Sequence, residues 1–241
     1  MKSTPSDPAD RRLPRLDQVE SWVFDLDNTL YPASCSLFPQ IDLRMRHFIA
    51  GALGLDEMEA HRLQKRYYHQ YGTTLRGLML AHGIEPEEFL TYVHDIDCGM
   101  LDPSPGLDRA LDGLAGRKII FTNGTERHAV NVLERLGLTR HFDGIFDIRA
   151  AGYLPKPNAE AYAMMARRHG VEARLAAMFE DLPGNLLPAA EAGMVTVLVH
   201  EPASEKIWPE NPDLSHVHHI TSDLAGWLRA VPGRRPDRAI D

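Results

Sequence analysis

Five short apolar runs punctuate the chain: WVFDL (22–26), KIIFT (118–122), GIFDI (144–148), AAMFE (176–180) and VTVLVH (195–200). Most are apolar at successive positions instead of alternating with polar ones. That is the pattern of strands in a parallel sheet covered on both faces. Segments of helical period lie between the later runs. The stretch 126–138 stops at Gly137, 158–171 ends at Gly170, and 185–194 is a shorter helix running into Gly193. Strand and helix alternating at this spacing predict a doubly wound, parallel α/β sheet.

The alternation breaks once. From Pro32 to Pro105 no strand-like run appears, and four helical stretches follow one another instead. The segment is too long and too patterned for a loop. It predicts a small all-helical lobe, residues 32–104, inserted after the first strand. The α/β core then takes residues 21–31 and 105–230, with flexible tails over 1–20 and 231–241.

Composition narrows the partners. The 241 residues are 44% hydrophobic and 25% charged, enough for one good core with a smaller lobe. A net charge of −8 argues against a binder of nucleic-acid polymers or anionic membranes. The N-terminal stretch is polar and Pro-rich and does not read as a secretory signal, and no window approaches the ~20 apolar residues of a membrane span. The two cysteines, Cys35 and Cys98, are far apart and not in metal-type spacing, so a reducing cytoplasm is the expected location. Oligomeric state leaves no mark in the sequence.

Open parallel sheets bind ligands beyond the carboxyl ends of their strands. There the first run offers Asp25, Asp27 and Thr29, and the second Thr122, Asn123 and Gly124. Lys156 follows the third, ahead of a helix, and Glu180, Asp181 and Asn185 follow the fourth. The carboxylates of Asp25, Asp27 and Asp181, with a hydroxyl and a lysine, gathered in one crevice suit phosphoryl transfer. That reaction needs an in-line nucleophile, a cation for the equatorial oxygens and a proton donor for the leaving group. A Mg²⁺ ion in an oxygen shell would relieve the repulsion among Asp25, Asp27 and Asp181. Asp25 and Asp27, at i and i+2, are expected to point to one side, one attacking phosphorus and the other delivering a proton. The acid is expected to have a raised pKa.

DLDNT, TNG, KP and FEDLPGN, in this order, resemble the four motifs of the haloacid dehalogenase-like (HAD) phosphohydrolases, from about residue 21 to about 200. The resemblance implies a Rossmann-like core and a phosphoric monoester hydrolase with Mg²⁺ as cofactor. Asp25 would be the nucleophile that becomes an aspartyl-phosphate. Asp27 would be the general acid/base, its backbone carbonyl also binding Mg²⁺. Thr122 and the backbone amides around Asn123 and Gly124 would hold the phosphoryl group, Lys156 would pair with Asp25, and Asp181 would be a side-chain metal ligand. The helical insertion matches the cap of many members. Glu180 stands where many have Asp or Gly, and Asn185 where an acid is often found, which leaves Glu180's contact with the metal open. The dehalogenases that name the family lack an acid at the position of Asp27, so its presence favours phosphate esters.

Residues 66–97, with the DNTLYP continuation, resemble the cap of the pyrimidine 5′-nucleotidases of this superfamily. Tyr67, Tyr68 and Tyr71 with Arg76 suit a planar base and a phosphate or sugar hydroxyl, and Tyr71 and Arg76 are the expected substrate contacts. The implied substrate is a pyrimidine nucleoside 5′-monophosphate, UMP or CMP. Rival readings are a phosphatase of another small metabolite such as phosphoglycolate or a sugar phosphate, a phosphomutase, and a catalytically silent binder of a phosphometabolite or partner protein.

Plainer readings stand beside these. Asp and Asn favour turns, NG is a common turn, Lys156 alone reads as a solvated loop residue, and Glu180-Asp181 suit a helix start. Tyr67 and Tyr71, four apart, suit packing as well as a base platform. The run His216 to His219 lacks ligand spacing and reads as a loop or edge strand. Met164 and Met165 read as core.

Overall fold

A computed structural model of the chain describes residues 16–201 and 212–231. These build one six-stranded sheet of order β3-β2-β1-β4-β5-β6. Its strands are β1 Ser21–Phe24, β2 Arg117–Phe121, β3 Gly144–Phe146, β4 Ala176–Glu180, β5 Val195–Val199 and β6 His219–Thr221. Every neighbouring pair is parallel. The five apolar runs are the first five strands. The sixth comes from the histidine run, as an edge strand.

Why the runs are apolar throughout follows from the two faces. Along β1, Trp22 and Phe24 point into one core with Ile120, Phe179 and Val197. Val23 points into the other with Ile119, Phe121, Met178 and Leu198. Phe24 and Phe179, partners in register, stack at 4.5 Å. Helices α5 (Pro105–Asp112), α6 (Glu126–Leu136) and α9 (Leu224–Arg229) cover the first face. Helices α7 (Ala159–His169) and α8 (Pro183–Ala192) cover the second. Met165 is buried there and Met164 packs at its edge.

Between β1 and β2 the chain forms α1 (Leu37–Leu53), α2 (Glu57–Tyr71), α3 (Thr74–His82) and α4 (Pro86–Val93). Polar caps start two of them: Asp56 accepts from the amides of Met58 and Glu59, and Thr73 from that of Arg76. Their apolar faces close on a third core around Ile41, Ile49, Leu78, Phe89 and Val93. Ile148, from beyond β3, inserts into that core. Arg149 and Tyr153 both bond Glu87 on α4, which ties the helices to the sheet's carboxyl edge.

The N-terminal segment differs from expectation at its inner end. Leu16–Gln18 form a 3-10 turn, and Leu16 and Val19 pack against the first core, because the backbone of Glu20 already pairs with Leu175. The rest of that expected tail, 1–15, and residues 232–241 of the C-terminal one lie outside the described residues. Cys35 and Cys98 are free thiols. Among the described residues no helix is long and apolar enough to cross a membrane.

Candidate active site

The carboxyl ends of β1, β2 and β4 converge, and four charged side chains are buried there. Asp25 is 7% exposed, Lys156 2%, Glu180 1% and Asp181 3%. Asp25 follows β1, and its amide continues the ladder by donating to the Phe179 carbonyl. Its Oδ1 accepts from Lys156 Nζ at 2.6 Å and its Oδ2 from Thr29 Oγ1 at 3.1 Å. Lys156 reaches in from the loop ahead of α7. The same ammonium donates to Glu180 Oε1 at 2.7 Å.

Glu180 is held from every side. Its Oε1 also accepts from Asn185 Nδ2 at 2.6 Å, and its Oε2 from the Leu182 amide at 2.9 Å. Tyr162 in turn donates its hydroxyl to the Asn185 carbonyl. With three donors on its two oxygens, Glu180 anchors Lys156. Asn185, in a place where an acid is often found, completes that anchor with a neutral amide.

Asn123 serves the same lysine. Its Oδ1 accepts from the Lys156 amide at 2.8 Å, and its Nδ2 donates to the Lys156 carbonyl at 3.3 Å. The side chain is thus committed to the lysine loop, and the phosphate role expected of Asn123 concerns a different atom, its backbone amide. Thr122 is buried, and its hydroxyl accepts from the Gly124 amide at 2.9 Å.

Asp27 takes other partners than Asp25. β1 ends at Phe24, and Asn28 adopts a left-handed φ of 61°, so strict strand alternation lapses before Asp27. Its Oδ1 accepts from Tyr31 Oη at 2.5 Å and pairs with His128 Nε2 at 2.8 Å. The expected raised pKa is reversed. Burial alone would raise it, but the His128 charge, its hydrogen bond and that of Tyr31 hold the carboxyl down at about 2. His128 moves up against its own burial because Asp27 sits beside it.

Asp25 moves the other way, to about 7. Burial is the main cause, Glu180 and Asp27 push in the same direction, and Lys156 opposes them. Asp181 is raised well above the carboxylate range by burial and by the charges of Glu180 and Asp25. Burial works against the Lys156 ammonium, yet its two carboxylates raise its pKa overall.

Asp25, Glu180 and Asp181 each present an oxygen within 4.8 Å of the others. Three buried carboxylate oxygens that repel one another are a fitting donor set for a hard divalent cation. The Asp27 carboxylate is outside this set. Its expected share in metal binding is through the backbone carbonyl, a different atom.

The tyrosines divide. Tyr67 is buried in the helical core and bonds His82 at 2.7 Å, so packing is its part. Tyr68 feels the acids: burial raises its phenol pKa, and the charges of Glu180 and Asp181 add to the rise. Tyr71 and Arg76 line a cavity of about 270 Å³ with Gly72, Leu154, Pro155, Pro157 and Asn158, the residues on either side of Lys156. The histidine run is structural: His216 donates to the Pro183 carbonyl, and His218 accepts from the Thr196 amide.

Sequence reasoning missed Tyr31, His94 and His128 at the site. Tyr31 was inside the quoted motif. His128 lies 101 residues from its partner, and no spacing rule links the two.

The haloacid dehalogenase-like hydrolase pattern matches residues 22–193, so the chain belongs to that family. It is 28% identical over 206 residues to phosphate metabolism protein 8 of Saccharomyces cerevisiae, covering 78% of this chain and 64% of that one. It thus spans less than two thirds of that relative. It is 29% identical over 210 residues to a glyceraldehyde 3-phosphate phosphatase of Methanopyrus kandleri, covering 81% and 90%. Among solved structures, an HAD phosphatase from Thermococcus onnurineus superposes with a TM-score of 0.60 at 17% identity, over 90% of this chain and 100% of that one. That likeness shows the shared fold.

Proposed function

We propose that the protein is a Mg²⁺-dependent phosphomonoesterase that works through an aspartyl-phosphate on Asp25, with a pyrimidine nucleoside 5′-monophosphate as substrate. The observation that carries the chemistry is the buried pairing of Asp25 with Lys156 at 2.6 Å beside Glu180 and Asp181. A Mg²⁺ ion held by Asp25, Asp181 and the Asp27 carbonyl would supply positive charge to the phosphoryl oxygens and to the crowded acids.

The chain's own residues divide the work. Lys156 holds Asp25 in place and offers its charge to the phosphate. Thr122 and the amides of Asn123 and Gly124 line the phosphoryl position. Asp25 attacks phosphorus, the bond to the 5′-oxygen breaks, and that oxygen takes a proton from Asp27. Water then attacks the aspartyl-phosphate, Asp27 accepts its proton, and phosphate and Asp25 are restored. In the ligand-free site Asp27 is set for the base step. An entering phosphate brings negative charge beside it and shifts it back toward the acid step. The helices α1 to α4 act as the cap that limits water.

For the nucleotide, support comes from the cavity of about 270 Å³ that holds Tyr71 and Arg76 beside the lysine loop. An aromatic ring and a guanidinium there suit a base and its polar edge. A second reading, a smaller phosphorylated metabolite, draws on the name of the glyceraldehyde 3-phosphate phosphatase relative. Free thiols and the acidic net charge suit a cytoplasmic enzyme acting on a small molecule.

The test is phosphate release from UMP, CMP, glyceraldehyde 3-phosphate, phosphoglycolate and a sugar phosphate, with Mg²⁺ and with a chelator. Release led by UMP or CMP, lost with the chelator and in Asp25→Asn, is the expected result. Release led by a triose or glycolate ester keeps the mechanism and rejects the nucleotide. Unchanged release from Asp25→Asn would reject the nucleophile.

A further inference from the structure

Two hydrogen-bond donors from different parts of the chain close on a single oxygen of Asp27. Tyr31, four residues on, supplies one at 2.5 Å, and His128, in the first turn of α6, pairs at 2.8 Å. Among the described residues the bonds to this carboxylate all end on Oδ1. Oδ2 is therefore the oxygen left for other work, on a side chain that keeps 16% exposure while His128 has 1%.

His128 is itself fixed. Its backbone amide donates to the capping Thr125 hydroxyl at 3.2 Å. Its ring lies against that of His94, centroids 4.8 Å apart and planes 23° from parallel. His94 ends α4, and its Nδ1 meets the Leu90 carbonyl at 3.1 Å. Gly124 makes room for the His128 ring. A Cβ there would stand 3.2 Å from His128 Cδ2 and from Thr122 Oγ1, and 3.6 Å from His94 Nε2.

We propose that His128 is the positioning residue of the acid/base: with Tyr31 it holds Oδ1 of Asp27 so that Oδ2 faces the leaving oxygen and then the attacking water, and His94 braces its ring from the inserted helices. The inference rests on the phosphatase reading above. A fixed carboxylate matters because displacement of about 1 Å from the reacting atoms costs on the order of 100-fold in rate. The arrangement also gives the inserted helices a direct mechanical path to the acid/base, through one ring stacked on another.

The test uses the full chain with Mg²⁺ and 4-nitrophenyl phosphate, whose leaving group departs without a proton. His128→Leu should still form the aspartyl-phosphate, while hydrolysis of that intermediate, which needs Asp27 as base, slows. We expect a burst of nitrophenolate of about one per site, phosphate trapped on the protein by acid quench and released by hydroxylamine, kcat reduced about 10–100-fold, KM reduced with it and kcat/KM within about twofold. His128→Gln, which can place an amide donor where Nε2 lies, should restore most of kcat. Tyr31→Phe should show a smaller effect of the same kind. Wild-type kcat in His128→Leu, or equal losses in the Leu and Gln variants at matched melting temperatures, would overturn the proposal.

A readout free of turnover separates this from the phosphatase reading. The imidazole proton shared between His128 and Asp27 should give a downfield proton NMR resonance in the wild type that disappears in His128→Leu and in Asp27→Ala. Its absence from the wild type overturns the positioning role whatever the substrate panel shows. Its presence in a protein that releases no phosphate from any ester keeps the contact and rejects the enzyme.

Discussion

Lys156 and Glu180 meet at 2.7 Å in the interior, and the same ammonium bonds Asp25 at 2.6 Å. One cation thus serves two carboxylates, with a third, Asp181, in the same cluster. Three acids against one ammonium leave two negative charges uncompensated when all are ionised. A buried site does not carry that imbalance at low cost. Protons or a divalent cation must make it up, and the raised Asp25 and Asp181 show which groups would take the protons.

Removing either acid should therefore have opposite effects on the metal-free protein. Glu180→Ala strips Lys156 of one partner and leaves the Asn185 amide and the Leu182 amide without theirs. Breaking a buried pair costs about 3–5 kcal/mol, and each kcal/mol is worth about 2–4 °C at this chain length. The melting temperature should fall by about 10 °C. Asp181→Asn removes the cost of protonating a buried acid, or of leaving its charge beside Glu180 and Asp25, and should raise the melting temperature slightly while abolishing the increase that Mg²⁺ brings. Thermal denaturation of both variants, with and without Mg²⁺, checks the pair.

The same groups set a pH dependence. Asp25 goes from an ordinary 3.8 to about 7 on folding, and Asp181 moves the same way. A carboxyl raised on folding contributes stability below its ordinary value and loses it as pH rises through the folded one. His128, also raised, loses its contribution as pH climbs past its folded value. Asp27, lowered to about 2, is constant above about pH 4, and His94, lowered to about 4, is constant above its ordinary 6.5. Between about pH 6.5 and about pH 8.5 the shifted groups of the site thus act in one direction. Metal-free protein should melt a few degrees lower at the upper pH. Mg²⁺ competes with the protons, so its stabilising effect should grow over that range. A melting temperature that rises with pH, or a Mg²⁺ effect that shrinks, would reject the assignment.

How much of this the sequence disclosed follows from range. The strands were legible because burial on both faces leaves consecutive apolar residues such as Trp22 to Phe24, and the helix ends because Gly137, Gly170 and Gly193 stop them in left-handed turns. Asp25, Lys156 and Asp181 were legible as strand-end residues in order. The partners were not. That Glu180 anchors Lys156, that Asn123 grips the lysine loop by its amide, and that His128 reaches Asp27 depend on contacts across 24, 33 and 101 residues. The reversed pKa of Asp27 has the same origin: a neighbouring carboxylate was visible in the sequence, and the imidazole that outweighs it was not. Tyr71 was favoured over Tyr68 although the charges of Glu180 and Asp181 reach Tyr68, because periodicity gives a helix's faces and not what lies opposite them.

Asn123 offers a sharper check on the lysine loop. Its amide both accepts from and donates to the backbone of Lys156. Asn123→Ala removes both bonds, and the loop that delivers the ammonium loosens. Asp25, Glu180 and Asp181 keep their places, so Mg²⁺ should still raise the melting temperature as in the wild type. Turnover should fall about 10–100-fold, since the charge offered to the phosphate is displaced. Loss of the Mg²⁺ effect together with turnover would mean that Asn123 supports the carboxylates instead.

On the proposed nucleotide reading, substrate choice is carried by residues that can be changed without touching the acids. Arg76 and Tyr71 line the cavity beside Pro155 and Pro157, whereas Tyr68 is the tyrosine whose phenol pKa is raised by burial and by the charges of Glu180 and Asp181. A ligand large enough to fill that cavity meets Arg76. On the nucleotide reading a triose or glycolate phosphate, which has no base, leaves that cavity empty. Arg76→Ala should therefore raise KM for UMP about tenfold, the equivalent of about 1.4 kcal/mol of binding, and leave KM for glyceraldehyde 3-phosphate unchanged. Tyr68→Phe, within range of the Glu180 and Asp181 charges, should act on both substrates alike. Steady-state kinetics of the two variants on the two esters decides the matter. An equal rise in KM for both esters in Arg76→Ala would place the guanidinium at the phosphate, and the nucleotide reading would lose its structural support.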